Sequence, residues 1–214
     1  MKNKKVEKAS NAIRGREQNI VDMVNHVVGN NVPGDIIDIG VYEGYSAIKA
    51  MNTLKKLGEL DRDIYLYDTF TGMPKPMECD GEVVIAKYNR LKKNNEPWAC
   101  CSLDNVKEKI REYGNYPLTN INYIKGMVED TLINNTHNEI AYLRLDTDMY
   151  SSTKVELEQL FHKISPNGVL IVDDYNSKFV GCNKAVDDFF KENDIPIDDI
   201  KLLPRSGFYY IKPN

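Results

Sequence analysis

Apolar positions along the chain alternate between two spacings. In residues 16–29, REQNIVDMVNHVVG, Ile20, Val24, Val27 and Val28 recur at helical intervals, and Gly29 can stop the helix. VPGDIIDIG then reads as a turn and a short buried strand over 35–39. YSAIKAMNTLKKLG predicts a helix ending at Gly58, and DIYLYD a second strand over 63–67. SLDNVKEKIREYG has the marks of a capped helix: Ser102 at its start, Val106 and Ile110 on one face, Gly114 at its end. NINYIKG and EIAYLRLD are the third and fourth strands, followed by the helix SSTKVELEQLFHKI. Asn167-Gly168 turns the chain into a fifth strand, GVLIVD. NKAVDDFFKEN is a further helix, and IKLLPRSGFYYIKPN a closing hairpin. Only residues 73–101 lack a clear period. That stretch is long for a plain connection, so it is expected to be a lid or cap.

Strands alternating with helices predict an α/β fold with a parallel, doubly wound sheet. Ligands of such sheets sit at the carboxyl ends of the strands. Acids gather at those ends: Asp38 after strand one, Asp68 after strand two, Asp146 and Asp148 after strand four, Asp173 and Asp174 after strand five. In LRLDTDMY, Leu143 and Leu145 face one side of a strand, and the two acids that follow read as having no basic neighbour. Unpaired carboxylates should repel each other.

Composition narrows the classes. The 214 residues suit one domain spanning 1–214 with a sizeable core; 42% are hydrophobic and the net charge is −4. A nucleic-acid binder would be basic, and only the start, MKNKKVEK, is; it reads as a solvated, frayed tail. With no membrane-length apolar run and no signal region, a cytoplasmic protein is expected. Cys79, Cys100, Cys101 and Cys182 form no C-x-x-C pair, which favours free thiols over a zinc or disulfide framework. His26, His137 and His162 are isolated and read as structural or surface residues.

The turn DIGVYEGYS has Gly40 and Gly44 in a G-x-x-x-G spacing with Asp38 just before it, not the dinucleotide G-x-G-x-x-G. A carboxylate there disfavours a diphosphate and suits an amine-bearing ligand, while Asp68 is placed to accept ribose hydroxyls. S-adenosylmethionine fits both; a tight strand-to-helix connection is the plainer alternative. Asp146, Asp173 and Asp174, with no histidine or cysteine nearby, suit a hard divalent ion, Mg2+ above all; solvated acids at loop starts are the alternative. Asp148 reads either as a base accepting a hydroxyl proton or as the N-cap of the next helix.

GDIIDIGVYEGYSAI, YDTFTGMP, SLDNVKEKI, GMVEDTL, LRLDTDMYSSTKVELEQLFHKISPNGVLIVDDYN and GCNKAVDDFF occur in that order. Together they resemble the macrocin O-methyltransferase (TylF-type) family of metal-dependent sugar O-methyltransferases, over about Arg14 to Phe190. The first turn is also similar to that of catechol O-methyltransferases. The resemblance implies the class I methyltransferase (Rossmann-like) three-layer fold, with a mostly parallel seven-stranded sheet and a C-terminal antiparallel hairpin. It implies S-adenosylmethionine and Mg2+ as cofactors. It implies a small-molecule acceptor that is a sugar or glycoside; charge and hydropathy leave no nucleic acid or membrane partner expected, and room remains for a homodimer. By motif position it implies Asp146, Asp173 and Asp174 as metal ligands and Asp148 as general base. Asp38, Gly40, Tyr42 and Ser46 fall at the methionine part of the donor, with Asp146 beside it. Asp68 and Thr69 fall at the ribose, and Val128 and Glu129 at the adenine. Glu43 stands where the family commonly has Arg, and Thr69 where Ser is usual. The competing readings are a catechol-type methyltransferase and an NAD-dependent oxidoreductase or epimerase.

Overall fold

The computed structural model describes residues 2–214, with side chains from Gly15 onward. Seven strands form one sheet: β1 (Asp35–Ile39), β2 (Ile64–Asp68), β3 (Ile121–Lys125), β4 (Ile140–Leu145), β5 (Ile164–Val172), β6 (Lys201–Leu202) and β7 (Phe208–Ile211). Their order is β3-β2-β1-β4-β5-β7-β6. The first five run parallel; β7 pairs antiparallel with both β5 and β6. This is the expected doubly wound sheet with its C-terminal hairpin. The order reverses between β1 and β4, which opens a crevice where ligands of such sheets sit.

Helices α1 (Lys2–Gly29), α2 (Tyr45–Lys56) and α4 (Leu103–Tyr113) cover one face; α5 (Val128–Thr131), α6 (Tyr150–Leu160) and α7 (Val180–Glu192) cover the other. Strand periodicity sorts the core between them. Ile36, Tyr142, Val169 and Ile171 pack under α1, α2 and α4, whereas Ile37, Ile39, Leu143, Leu145, Leu170 and Val172 pack under α6 and α7. Both layers are buried, which is why these strands read as near-continuous apolar runs.

Three expectations are corrected. The first helix does not start near residue 16 but at Lys2, so it takes in the basic stretch from Lys2 onward. The 73–101 segment is not irregular throughout: a short 3-10 turn, Glu78–Asp80, leads into α3 (Glu82–Lys93). Val84 is the only buried residue of this helix, so no stripe of core positions marks it in the sequence. Asn167-Gly168 is not the start of β5 but part of a bulge within it; Ile164 pairs with Ile140 and Val169 with Tyr142, so residues 165–168 loop out. The Ser102 cap holds, its Oγ accepting the Asn105 N–H at 3.3 Å. No described helix is long and apolar enough to cross a membrane.

Candidate active site

The β1–α2 turn is shaped by two left-handed glycines, Gly40 (φ 83°) and Gly44 (φ 85°). A Cβ on Gly40 would come within 2.1 Å of the Asp146 carbonyl oxygen, so only glycine lets β1 and β4 end side by side. Next to it Asp68 ties two turns together. Its Oδ2 accepts the Tyr42 N–H at 2.8 Å and its Oδ1 the Phe70 N–H at 2.7 Å. Gly40, Tyr42, Asp68, Thr69, Val128, Glu129, Asp146 and Asp148 line one cavity, and Met73, Pro74 and Ala99 close it from the 73–101 segment.

Asp38, Ser46, Asp173 and Asp174 do not line that cavity. Asp38 is buried behind the turn, where Ser46 Oγ donates to its Oδ2 at 2.6 Å. Its Oδ1 receives Arg144 Nη1 at 2.9 Å. Arg144 also donates Nη2 to Asp146 Oδ2 at 2.6 Å and to Asp173 Oδ2 at 2.7 Å. The expectation that the acids of LRLDTDMY lack a basic neighbour is therefore wrong. Residues two apart on a strand share a face, so Arg144 and Asp146 project together, opposite Leu143 and Leu145. Asp38 is the cross-strand partner of Arg144 in β1. Burial opposes the guanidinium charge, but Asp173, Asp146 and Asp38 outweigh it and raise the Arg144 pKa well above its ordinary value. Arg16 of α1 adds a second cation, 3.6 Å from Asp173 Oδ2. Both arginine contacts fall on that oxygen and leave Oδ1 of Asp173 outside them.

One oxygen from each of Asp146, Asp148 and Asp174 lies within 4.8 Å of the others. Burial first, then the neighbouring acids, raises the carboxyl of Asp146 well above its usual range despite Arg144. Burial raises Asp174 as well, reinforced by the neighbouring Asp148 carboxylate. Burial pushes Asp148 up to about 6, with the neighbouring Asp174 carboxyl opposing. Oδ2 of Asp174 is buried without a hydrogen-bond partner. An all-oxygen set with an orphaned carboxylate oxygen is the donor chemistry a hard divalent ion takes.

Asp148 is not a helix cap. It sits at φ 65°, and Met149 occupies the N-cap of α6 without a side-chain hydrogen bond. The Tyr150 N–H at the start of α6 goes instead to Asp80 Oδ1, 2.7 Å away. Oδ2 of Asp80 accepts the Met77 N–H at 2.7 Å. This buried acid, from the segment that sequence patterning left unread, ties α6 to the cavity's outer wall.

Behind the cavity Glu156 is fully buried, its Oε2 accepting Thr147 Oγ1 at 3.2 Å. Burial pushes its pKa up to about 8, so it is largely protonated at neutral pH. Ser152 donates to Glu129 Oε1 at 3.1 Å. His137 is buried between Tyr67 Oη, 2.7 Å from Nε2, and Asp35 Oδ2, 3.0 Å from Nδ1, which is a structural bridge. Arg144, Asp80 and Glu156 were missed by sequence reasoning. Only Arg144 left a signal, its position two before Asp146.

Comparison with known proteins matches residues 9–212 to the family profile described as Macrocin-O-methyltransferase (TylF). The demethyldecarbamoylnovobiocin O-methyltransferase of Streptomyces niveus is 34% identical over 197 residues, covering 91% of this chain and 72% of that protein. The 8-demethyl-8-(2,3-dimethoxy-alpha-L-rhamnosyl)-tetracenomycin-C 4'-O-methyltransferase of Streptomyces olivaceus is 33% identical over 195 residues, with the same coverage of 91% and 72%. Among solved structures, that of the O-methyltransferase NovP superposes with a TM-score of 0.82 at 32% identity, over 94% of this chain and 80% of that one. A calicheamicin methyltransferase, at TM-score 0.67 and 19% identity over 92% and 78%, shares the fold.

Proposed function

The chain belongs to the macrocin O-methyltransferase (TylF) family, an S-adenosylmethionine-dependent O-methyltransferase by fold and kinship, and from that premise we propose that it methylates a hydroxyl of a sugar or glycoside with the help of Mg2+. The convergence of Asp146 and Asp148, which line the cavity, with Asp174 beside them carries this reading. A relative named for a rhamnosyl-bearing tetracenomycin and another named Mycinamicin III 3''-O-methyltransferase, 29% identical, point to the same acceptor class.

The residues divide by place. Gly40 and Tyr42 would face the methionine end of the donor, with Asp38 and Ser46 acting from behind to hold the turn. Asp68 and Thr69 would meet the ribose, and Val128 and Glu129 the adenine, since all four line the cavity. Asp68 already accepts two backbone N–H groups, so a ribose hydroxyl would add to an oriented carboxylate. Asp146 and Asp174 would hold the ion together with Asp173 through Oδ1, its Oδ2 staying on the arginines.

When bound, the sulfonium donor supplies an electrophilic methyl group, and the divalent ion lowers the pKa of a hydroxyl beside it. Asp148 accepts that hydroxyl's proton; its left-handed backbone turns the carboxylate toward the cavity it lines. Arg144 spaces the carboxylates of β1, β4 and β5 and offsets their repulsion. Met73, Pro74 and Ala99 exclude water and border the acceptor, which gives the 73–101 segment its role as lid.

Methyl transfer from labelled S-adenosylmethionine to a panel of glycosides, nucleotide sugars and catechols, with Mg2+ and with EDTA, tests the reading. Mg2+-dependent labelling of sugar hydroxyls is expected. Full activity in EDTA, or labelling of catechols alone, would overturn it.

A further inference from the structure

Thr147 separates the proposed ion ligand Asp146 from the proposed base Asp148 and lines the cavity with both. The chain turns abruptly there. The Met149 N–H donates to the Thr147 carbonyl at 2.7 Å, closing a three-residue turn with Asp148 at its centre, at φ 65°. A three-residue turn whose central residue has positive φ is the rare, strained form, and away from glycine it persists only where its surroundings hold it. Both flanks are held. Beyond Asp148, Asp80 Oδ1 accepts the Tyr150 N–H. Before Asp148, the Thr147 hydroxyl donates to Glu156 Oε2 at 3.2 Å.

This bond is the one side-chain tie of Glu156 among the described residues. Glu156 is wholly buried on α6, one turn beyond Ser152 and on the same face. It does not line the cavity. Among the described residues it has no cation within 4.0 Å. Its Oε1 is buried without a partner. A buried carboxyl with one oxygen unsatisfied costs stability that an apolar side chain would not. Packing therefore gives no reason for an acid at this position, whereas the tie to Thr147 does. Burial also favours the neutral form, so Glu156 can hold Thr147 without setting a further negative charge behind the acids of the site.

We propose that Glu156 is a positioning residue for methyl transfer: its hydrogen bond to Thr147 keeps the Asp148 turn in its left-handed form and so aims the base at the acceptor hydroxyl. This rests on the assignment of Asp148 as base in the reading above and adds the residue that sets its direction.

Three variants test it. Glu156→Leu keeps the bulk and removes the carboxyl, Thr147→Val keeps the shape and removes the hydroxyl, and Glu156→Gln leaves an amide oxygen that can still accept. The first readout needs no activity. Crystal structures of Glu156→Leu and Thr147→Val should show the Met149–Thr147 hydrogen bond lost and Asp148 out of the left-handed region. The second is kinetic, at neutral pH with methyl rhamnoside as acceptor. In either variant kcat should fall by about 10²-fold, the cost of misplacing a catalytic group by about 1 Å. The acceptor KM and the Kd for S-adenosylhomocysteine should stay unchanged in Glu156→Leu. The double variant should lose no more than either single one, because both remove the same interaction. Glu156→Gln should retain wild-type kcat. If Glu156→Leu does not fold, Thr147→Val decides on both readouts. An intact left-handed turn in the variants, wild-type kcat in either, additive losses in the double variant, or a loss that Gln does not rescue would overturn the inference. Failure of the broader reading shows separately, as absent methyl transfer by the wild type, and the crystal structures then decide by themselves whether Glu156 holds the turn.

Discussion

Arg144 and Asp146 stand two residues apart on one face of β4, joined by a 2.6 Å hydrogen bond from Nη2 to Oδ2. The same guanidinium reaches Asp38 on β1 and Asp173 beyond β5. One buried cation therefore connects the turn proposed to face the donor with the carboxylates proposed to hold the ion. Arg144→Met should leave three acids without it. A loss of about 3–5 kcal/mol is expected from urea unfolding, the usual cost of breaking a buried ion network by removing one partner. Arg144→Lys should recover only part, because an ammonium cannot match the forked geometry.

Asp173 and Asp174 should differ although adjacent. Oδ2 of Asp173 is held by Arg144, so Asp173→Ala should lower stability as well as activity. Asp174 offers an orphaned oxygen, so Asp174→Ala should keep the fold and lose Mg2+ binding. Calorimetric metal titration beside thermal melts separates the two; equal Mg2+ affinity in Asp174→Ala and wild type would remove Asp174 as a ligand.

Asp148→Asn keeps size and polarity but cannot take a proton. Turnover should fall by roughly 10²–10⁴-fold, the range of general-base catalysis, with S-adenosylhomocysteine affinity unchanged. Wild-type turnover would eliminate Asp148 as the base.

Glu156 gives a pH signature in stability. Its pKa rises from 4.5 to about 8 on folding, chiefly through burial. Between those values the folded chain binds more protons than the unfolded one, so stability should decline as pH rises from 4.5 and level off above 8. Glu156→Gln removes the ionisation. Its advantage over wild type should grow with pH, to a scale on the order of 5 kcal/mol at the alkaline end. Melting temperatures across that window check it; parallel curves for the two proteins would contradict the assignment.

Asp80 links the 73–101 segment to α6. Asp80→Ala should cost about 1–3 kcal/mol for its two N–H partners and raise the acceptor KM more than the donor KM. Gly181→Ala should act alike, since its Cβ would sit 2.1 Å from Asp80 Oδ1 and 2.9 Å from the Tyr150 nitrogen. Steady-state kinetics against both substrates distinguish lid loosening from general damage.

The sequence by itself determined the sheet and the places where chemistry gathers. Strands such as DIIDI and VLIV are largely apolar because both faces are buried, and parallel connections force their carboxyl ends to one side, so the acids at the ends of β1, β2, β4 and β5 gather along one edge of the sheet. Periodicity also predicted Ser102 and Gly114 at the ends of α4. What only the tertiary structure decided is how those acids divide. Contacts across strands assigned Asp38 and Asp173 to Arg144 and drew Asp148 toward Asp174, and no local pattern records distances between β1, β4 and β5. Nor could patterning reveal α3, which buries Val84 alone, or Asp80, which caps a helix 70 positions away. Amphipathic spacing reports burial against a core, whereas the 73–101 segment is held by a few polar ties whose partners only the folded chain brings within reach.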